Sequence, residues 1–254
     1  MFSLDGKTAV VTGGAQGLGL MISRGLVQGG AKVYVVSRKQ ATCDAAVEEL
    51  SAFGTCVALP GDVSSEAETK RLAAEIGERE GSLHVLVNNA GAAWGAPLES
   101  YPDVAWDKVM GVNVRGVFNL SVACLPLLEK AATAGDPGRI INVGSIDGFR
   151  VPEFDNFAYS SSKAAVHHLT RVLAQKMAAK NVTVNAIAPG PFPSKMMAVP
   201  LETYGEAFIE RNPFGRLGEP DDMAGIAVFL ASRASSYITG QIIAVDGGIS
   251  TRPW

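Results

Sequence analysis

One short segment of the chain pairs a phenol with an ammonium group at helical spacing. Tyr159 and Lys163 are four residues apart in the sequence Tyr-Ser-Ser-Ser-Lys, so on a helix both side chains lie on one face. A phenol with a pKa of about 10 is a poor acid–base catalyst at neutral pH, but a neighbouring cation favours the phenolate and lowers that pKa. The pair therefore predicts a proton donor, with an ordinary helix surface as the structural alternative.

Two further polar residues are placed to assist such a donor. Ser145 lies two residues after a strand-like run at residues 139–143, and its hydroxyl can hold a substrate carbonyl while Tyr159 protonates it. Asn113 interrupts an apolar helical run, where its amide competes for backbone hydrogen bonds and needs a partner. We expect Asn113 either to hold an ordered water that passes protons towards Lys163 or to stabilise a distorted helix.

A glycine-rich turn, TGGAQGLG at residues 12–19, follows the first strand-like run and precedes a helical pattern. Glycines at this place let the backbone approach a pyrophosphate, whose charge is met by free amide groups at the helix N-terminus. A tight turn without a ligand is the alternative, but the position between a strand and a helix favours a dinucleotide. The predicted contacts from this turn are Gly13, Gln16, Gly17, Leu18 and Gly19.

The end of the second strand-like run indicates which dinucleotide is bound. An acidic side chain about 20 residues beyond the glycine turn binds the 2'-hydroxyl of an NAD ribose, whereas an Arg there accommodates the 2'-phosphate of NADP. This chain has Ser37, Arg38 and Lys39. Because the planar guanidinium of Arg38 can hold a phosphate with two hydrogen bonds, we predict NADP rather than NAD. A solvated strand end is the structural alternative.

Two later strand ends carry further candidate contacts to the cofactor. Asp62 and Val63 follow the third strand-like run, and the Asp62 carboxylate can either accept from an adenine amino group or cap the next helix. Asn89, Ala90 and Gly91 close the fourth run with small, flexible residues, which suit a close approach of the backbone to a cofactor. A plain turn is the alternative there.

Seven short, β-branched runs alternate with longer segments of helical period. Most runs lack strict polar alternation, as parallel strands covered on both faces do, and the connections are long enough for crossover helices. The chain is therefore predicted to be α/β, a single-domain Rossmann fold with a doubly wound, seven-stranded parallel sheet and helices on both faces. The predicted strands are residues 7–12, 32–36, 55–59, 83–87, 139–143, 182–187 and 242–245.

The length of 254 residues is ordinary for one α/β domain, so one domain spanning residues 1–254 is expected. Ser65 precedes Glu68 by three residues like a helix cap, and Glu219 with Pro220 opens a helix that runs to about residue 232. The segment 189–213 is rich in proline and shows little strand pattern. It is predicted to be a lid or substrate loop after the sixth strand.

Composition argues against several classes of protein. A net charge of -3 and the lack of any Lys/Arg run of five or more give no attraction to nucleic acid or anionic lipid. No apolar stretch reaches the roughly 18 to 20 residues that span a bilayer, and no signal peptide is recognisable, so a cytoplasmic protein is expected. The three cysteines and three histidines lack metal-ligand spacing. We predict no metal site and small, buried, apolar roles for the cysteines.

Taken together, these motifs resemble the short-chain dehydrogenase/reductase family over nearly the whole chain. The segments TGGAQGLG, Asp62-Val63, NNAG, Asn113, Ser145, YSSSK and Pro189-Gly190 occur in the order and approximate spacing of that family. Within the family, residues 93–102 and 188–196 look most like bacterial 3-oxoacyl carrier-protein reductases, especially the branch from rhamnolipid pathways. The chain departs from the pattern at Gln16, where many NADP-using members have Arg or Lys, and at Ser194, where Thr is usual.

The resemblance implies a hydride transfer between nicotinamide C4 and a carbonyl carbon. It implies that Asn113, Ser145, Tyr159 and Lys163 form a catalytic tetrad, and that Lys163 also binds the ribose hydroxyls. Residues 187–194 would border the nicotinamide, with contacts from Pro189, Gly190, Phe192 and Ser194. A homotetramer built from the long helices around Asn113 and Tyr159 is also implied, with a dimer as the alternative.

The expected function is therefore an NADP(H)-dependent oxidoreductase that reduces a ketone, for example a 3-oxoacyl thioester, to a secondary alcohol. An NAD-dependent secondary alcohol dehydrogenase is the rival within the enzyme class, and it differs chiefly at the 2'-phosphate site. A nucleotide-binding protein without turnover is the alternative from another class. The expected partner is a small-molecule ketone or alcohol, with neither nucleic acid nor membrane.

Overall fold

A central parallel sheet organises the computed structural model, which describes residues 1–152 and 154–251. Seven strands are hydrogen-bonded in the order β3-β2-β1-β4-β5-β6-β7, and every neighbouring pair is parallel. Because the order reverses direction between β1 and β4, a crevice opens there beyond the strands' carboxyl ends. The strands are β1 (Thr8–Thr12), β2 (Lys32–Ser37), β3 (Cys56–Pro60), β4 (Val85–Asn88), β5 (Gly138–Val143), β6 (Val182–Pro189) and β7 (Ile242–Val245).

Helices cover both faces of this sheet. One face packs against α1, α2 and α8 and the other against α3, α5 and α6. The α-helices are α1 (Gly17–Gln28), α2 (Gln40–Leu50), α3 (Glu66–Glu80), α4 (Asp103–Met110), α5 (Val117–Ala131), α6 (Phe157–Met177), α7 (Ala198–Arg211) and α8 (Pro220–Ala231). Since both faces are covered, the strands are apolar on both sides, and neighbours such as Val10 and Val11 contribute to opposite cores.

The predicted sheet is confirmed, and each predicted strand boundary lies within about two residues of the observed one. Ser65 caps α3, accepting a hydrogen bond from the Glu68 amide at 3.4 Å, and α8 begins at Pro220 as predicted. Cys43, Cys56 and Cys124 are buried and free. The buried apolar role predicted for the cysteines is therefore confirmed.

The segment 189–213 is more regular than its sequence suggested. It contains a 3-10 turn at Lys195–Met197 and the 14-residue helix α7. Pro200 is the third residue of that helix, in the first turn, where a missing amide hydrogen costs no intrahelical bond. Pro200 therefore marks the beginning of a helix, while Pro191 and Pro193 lie in the irregular stretch between β6 and the 3-10 turn.

Among the described residues, one helical stretch, Asp103–Ala131, is long and apolar enough to cross a membrane, with an 18-residue window of mean hydropathy 1.4. No unbroken apolar run of that length occurs in the sequence, but a mean over 18 residues tolerates interruptions by polar side chains. The inward side chains of α5, including Leu120 and Leu128, pack in the core beneath the sheet. A core helix of a folded domain passes the same test.

Candidate active site

The glycine turn between β1 and α1 adopts a conformation that side chains would block. Gly13 and Gly17 have positive φ angles of 63° and 53°, a region that glycine enters without strain. A Cβ on Gly19 would lie 2.0 Å from the Gly13 carbonyl oxygen. The turn is therefore packed too closely to accept a side chain at Gly19. Gln16, the residue that precedes α1, is exposed.

Asn88 and Asn89, at the end of β4, have opposite roles. The Asn89 amide nitrogen Nδ2 donates to the carbonyl oxygens of Thr12 at 2.9 Å and Gly13 at 3.2 Å, so it fixes the start of the glycine turn. Asn88 points into the core, where its Nδ2 donates to Asn142 Oδ1 at 2.9 Å. Asn89 was predicted to touch a cofactor, and the structure shows that its side chain braces the turn that would do so.

A cavity of about 550 Å³ lies beyond the carboxyl ends of the strands β1 to β4. Its wall includes predicted cofactor residues from four separate segments: Gly13, Ser37, Arg38, Asp62, Val63, Ala90 and Gly91. Lys108 and Arg115 also line it, and neither was predicted from the sequence. Three cations on the wall, together with a glycine turn that admits a phosphate, fit the phosphate-bearing half of a dinucleotide.

Asp62 is partly engaged in its own turn. Its Oδ1 accepts from the Ser64 amide at 3.0 Å and from the Ser64 hydroxyl at 2.8 Å. The sequence left two roles open, an adenine contact and a helix cap, and the helix cap is the role of Ser65. Asp62 therefore holds the turn after β3 while it lines the cavity.

The beginning of the segment 189–213 lies beside the glycine turn. A Cβ on Gly17 would be 3.2 Å from the Cβ of Ser194, and the Ser194 hydroxyl accepts from the Met197 amide at 3.3 Å. Phe192, by contrast, is buried in the core below Gly218. Of the predicted contacts in this segment, Ser194 is near the turn, while the Phe192 ring packs in the interior.

Tyr159 and Lys163 face each other on α6, as their spacing predicted. The Lys163 ammonium nitrogen is 5.4 Å from the centroid of the Tyr159 ring. That nitrogen donates to the Val143 carbonyl oxygen at 2.8 Å and is buried. A Cβ built on Gly91 would lie 3.8 Å from it, so the pair lies at the rim of the cavity, between the ends of β4 and β5.

The expected effect of Lys163 on Tyr159 is corrected by the structure. Burial, with the nearby Asp147 carboxylate, raises the pKa of Tyr159 to about 12, although a hydrogen bond with Ser145 opposes this. Burial also lowers the pKa of Lys163 to about 8. The ammonium donates to a backbone carbonyl and not to the phenol, so desolvation exceeds the attraction between the two side chains.

Ser145 begins a short turn that presents its hydroxyl to Tyr159. Its Oγ accepts from the Asp147 amide at 3.1 Å, and it is near enough to the Tyr159 phenol to lower the pKa of that phenol. Gly144, just before it, donates its amide to the Ile187 carbonyl oxygen at 2.7 Å. Ser145 is therefore held at the ends of β5 and β6, two residues beyond the last residue of β5.

Asn113 lies in a π-helical segment, Gly111–Gly116, between α4 and α5. Its side chain forms a two-way pair with the backbone of Ala92, accepting at 2.8 Å and donating at 2.9 Å. It also donates to Ser162 Oγ at 2.9 Å. Its amide hydrogens and oxygen are thus engaged, which supports the helix-distortion alternative. π-Helical turns of this kind are frequent at functional sites.

Asp147 is a site residue that the sequence reading did not single out. Its carboxylate is 3.7 Å from Arg150 Nε and accepts from Asn156 Nδ2 at 3.4 Å. Burial raises the pKa of Asp147, and its charge raises that of Tyr159. Its position two residues after Ser145 was the available signal, but an Asp in a turn is common and carries no specific indication.

The four predicted catalytic residues therefore meet at one place, where the ends of β4 and β5 meet α6. No group of three or more His, Cys, Asp or Glu side chains within residues 1–152 and 154–251 is arranged to hold a metal ion. The chemistry that this arrangement supports is proton transfer through a phenol, beside a cavity that suits a dinucleotide.

Comparisons with known proteins agree with this geometry. A family described as Enoyl-(Acyl carrier protein) reductase matches residues 13–250. The chain is 46% identical to the rhamnolipids biosynthesis 3-oxoacyl-[acyl-carrier-protein] reductase of Pseudomonas aeruginosa, over 97% of both chains. It is 40% identical to the galactitol 2-dehydrogenase (L-tagatose-forming) of Cereibacter sphaeroides, over 98% of this chain and 96% of that one.

The solved structures give the same result. The Pseudomonas aeruginosa RhlG/NADP active-site complex superposes with a TM-score of 0.95 at 45% identity, covering 98% of each chain. A gluconate 5-dehydrogenase from Burkholderia cenocepacia, in complex with NADP and tartrate, reaches a TM-score of 0.92 at 30% identity, over 99% of this chain and 98% of that one.

Proposed function

The chain belongs to the short-chain dehydrogenase/reductase family, and we propose that it is an NADP(H)-dependent oxidoreductase that reduces a ketone to a secondary alcohol. The observation that carries this proposal is the pairing of Tyr159 and Lys163 on one face of α6, with the Lys163 nitrogen 5.4 Å from the centroid of the phenol ring. Ser145 lowers the pKa of that phenol, and a Cβ on Gly91, which lines the cavity, would lie 3.8 Å from the Lys163 nitrogen. A substrate carbonyl bound between Ser145 and Tyr159 would meet a hydrogen-bonding hydroxyl and a proton donor together.

Each residue of the tetrad has a distinct part in this reaction. Ser145 holds the carbonyl oxygen, and Tyr159 gives that oxygen its proton as the general acid. Lys163 would bind the ribose hydroxyls on the nicotinamide side, and its positive charge would stabilise the phenolate that remains after the transfer. When bound, the dinucleotide supplies the hydride that adds to the carbonyl carbon. Asn113 would act by holding the π-helical segment against Ala92 and Ser162, beside the Tyr159–Lys163 pair.

Burial keeps the proton on Tyr159 at neutral pH. With a pKa of about 12 the phenol stays protonated, so the proton that a ketone receives is present, but the phenol is a weaker acid than a free tyrosine and its pKa has to fall when cofactor and substrate bind. Lys163, with a pKa of about 8, is mostly protonated at pH 7. Both side chains therefore enter the reaction in the protonation states that reduction needs.

NADP is the proposed cofactor, and the structure that superposes with a TM-score of 0.95 is an NADP complex. The end of β2 presents Ser37, Arg38 and Lys39, with both cations exposed and Arg38 on the cavity wall. We assign the pyrophosphate to the turn at Gly13, Gly17 and Gly19 with Gln16 and Leu18, and the 2'-phosphate to Arg38 and Lys39. Asp62, Val63, Asn89, Ala90, Gly91, Pro189, Gly190, Phe192 and Ser194 complete the proposed binding set.

The substrate is proposed to be a small-molecule ketone or alcohol. Among the relatives, one is named for a 3-oxoacyl carrier-protein substrate and another for a sugar alcohol. A 3-oxoacyl thioester is the first class to test because the relative named for it is the more similar. We further propose one domain over residues 1–254 with the segment 189–213 as its lid. We propose that the protein is a cytoplasmic homotetramer that binds neither nucleic acid nor membrane.

The direct test replaces the proton donor. Tyr159→Phe should lower kcat with NADPH and a 3-oxoacyl thioester by at least roughly 10²- to 10⁴-fold, because a positioned acid is lost. The Kd for NADPH, measured by fluorescence titration, should change little. Tyr237→Phe is the matched control, since Tyr237 is fully exposed. Turnover of Tyr159→Phe at the wild-type rate would refute the assignment, and cofactor binding without reaction across a broad ketone panel would favour a binding protein.

A further inference from the structure

The 144–149 loop, which carries Ser145, is wrapped around the imidazole of His167. A Cβ on Gly144 would lie 2.2 Å from His167 Nε2, and a Cβ on Gly148 would lie 2.5 Å from Cε1. The Phe149 ring covers a face of the imidazole, with 4.7 Å between centroids. Three residues of one six-residue loop therefore contact a single buried side chain.

His167 is one helical turn beyond Lys163 on α6, so the two residues support neighbouring parts of the same backbone. Lys163 donates to the carbonyl oxygen of Val143, and the imidazole packs against Gly144, the next residue. Ser145 follows immediately. Two side chains of α6 therefore contact the two residues that immediately precede Ser145.

The contact depends on shape rather than on hydrogen bonding. His167 is 3% exposed, and its Nε2 is buried without a hydrogen-bond partner. Neither flanking glycine has a positive φ, so the backbone conformation does not require glycine at 144 or 148. Glycine is needed at 144 because the imidazole occupies the space that a Cβ would take, and at 148 because the imidazole and the Lys163 backbone carbon, at 2.9 Å, both occupy it.

We infer that His167 is a positioning residue for the proposed reaction, whose ring holds the 144–149 loop and thereby sets the hydroxyl of Ser145 against Tyr159. This inference rests on the proposed function. It assigns no chemistry to the imidazole, which has no described contact with Tyr159.

The main test is a double-mutant cycle between His167 and Ser145. His167→Ala should lower kcat roughly 10- to 100-fold, because displacement of a catalytic group by about 1 Å costs that much, and leave the Kd for NADPH unchanged. In a Ser145→Ala background the same substitution should change kcat by less than about 2-fold, since His167 acts through Ser145. An equal loss in both backgrounds would overturn the inference.

A size exchange tests the same contact from the loop side. Gly144→Ala should lower kcat because its methyl group collides with the imidazole. The double variant Gly144→Ala/His167→Ala should recover part of that loss, since the next neighbour of this Cβ is the Ile187 carbonyl oxygen at 3.4 Å. Absence of any recovery would count against the inference. If His167→Ala does not fold, His167→Gln takes its place in both experiments.

A measurement that needs no turnover separates this inference from the proposed function. Hydrogen exchange of the peptide covering residues 144–150 should accelerate in His167→Ala or His167→Gln, and not in His168→Ala, whose side chain is exposed. If the wild-type protein reduces no ketone, the proposed function fails while this result still reports on the loop. If the wild type is active and exchange and kcat of the His167 variants match His168→Ala, the inference alone fails.

Discussion

Tyr159 and Lys163 show how burial changes two titratable side chains in opposite directions. The pKa of the phenol rises to about 12 and that of the ammonium falls to about 8, because desolvation favours the neutral form of each. The sequence predicted the pair and its facing, but it predicted the wrong direction for the phenol. The direction depended first on the burial of the phenol and then on the Asp147 carboxylate, while the Lys163 ammonium donates its hydrogen bond to the Val143 carbonyl oxygen.

The selectivity for NADP is expected to depend on one side chain. Arg38→Ala should weaken NADP binding by roughly 10- to 100-fold, because charge-assisted hydrogen bonds of about 1.5–3 kcal/mol are lost. NAD binding should change little. The measurement is the Kd of each cofactor by titration, with Arg233→Ala, an exposed arginine in the turn after α8, as the control. A preference for NADH that Arg38→Ala does not affect would contradict the assignment.

His167 should contribute to acid lability. Burial, with the charges of Lys163 and Arg171 on its own helix, lowers its pKa to about 4; Asp147 and Arg150 are the ionisable residues of the facing loop. In the unfolded chain the imidazole has a pKa of about 6.5, so as the pH falls the unfolded state binds this proton before the folded state does. The free energy of unfolding therefore decreases as the pH falls from about 6.5 to about 4.

The expected consequence is a change in the pH dependence of thermal unfolding. His167→Gln does not titrate, so its Tm should fall less between pH 7 and pH 5 than that of the wild type. Each kcal/mol of unfolding free energy that the wild type loses by protonating His167 corresponds to a difference of roughly 2–4 °C in Tm. His168→Gln is the matched control because the side chain is exposed. The same pH dependence in all three proteins would show that His167 titrates normally in the folded state.

At the scale of elements, the turn between β1 and α1 shows how a helix end becomes a binding site. Its position after a buried strand was evident from the sequence, and its tightness is evident only in three dimensions. A Cβ on Gly14 would lie 2.7 Å from the Val11 carbonyl oxygen, and one on Gly13 would lie 2.8 Å from Asn89 Nδ2. Strand β4 thus closes the turn from the side, through a residue 76 positions away along the chain.

Gly19→Ala should therefore abolish dinucleotide binding or weaken it severely, because its methyl group would collide with the Gly13 carbonyl and distort the turn. Gly225→Ala in α8 is the control: a Cβ there has open space around it, so it should raise stability by about 0.5–1 kcal/mol without affecting binding. Fluorescence titration with NADPH and urea unfolding measure the two effects. Unchanged affinity in Gly19→Ala would place the pyrophosphate elsewhere.

For the molecule as a whole, exposed apolar side chains on the face formed by α5 and α6 support the proposed assembly. Phe118 and Val122 are one turn apart on α5 and are 45% and 46% exposed, and Val172 on α6 is 42% exposed. Both helices cover the same face of the sheet. A second copy of the chain would remove these side chains from water.

The prediction is that Phe118→Glu combined with Val122→Glu reduces the mass in light scattering from about four chains to two or one. Charges at the centre of a subunit contact would be desolvated without partners. Phe2→Glu, a substitution at an exposed residue that precedes β1, should leave the mass unchanged. A wild-type protein that is monomeric at micromolar concentration would contradict the tetramer.

Local patterns in the sequence were enough to predict the strands, the helices on both faces, the glycine turn and the placement of Tyr159 and Lys163 on one helical face. These are local patterns: period, β-branching, glycine placement and a spacing of four on one helix. They can be recognised in the sequence because each depends on residues that are close along the chain.

The tertiary structure decided what each side chain does once the strand ends meet. In the folded chain the Asn113 side-chain amide donates hydrogen bonds to Ala92 and Ser162, and the loop that carries Ser145 packs around His167. It also made burial dominate the pKa of Tyr159. Such outcomes depend on distances between segments far apart in sequence and on the water excluded between them, which no local pattern records.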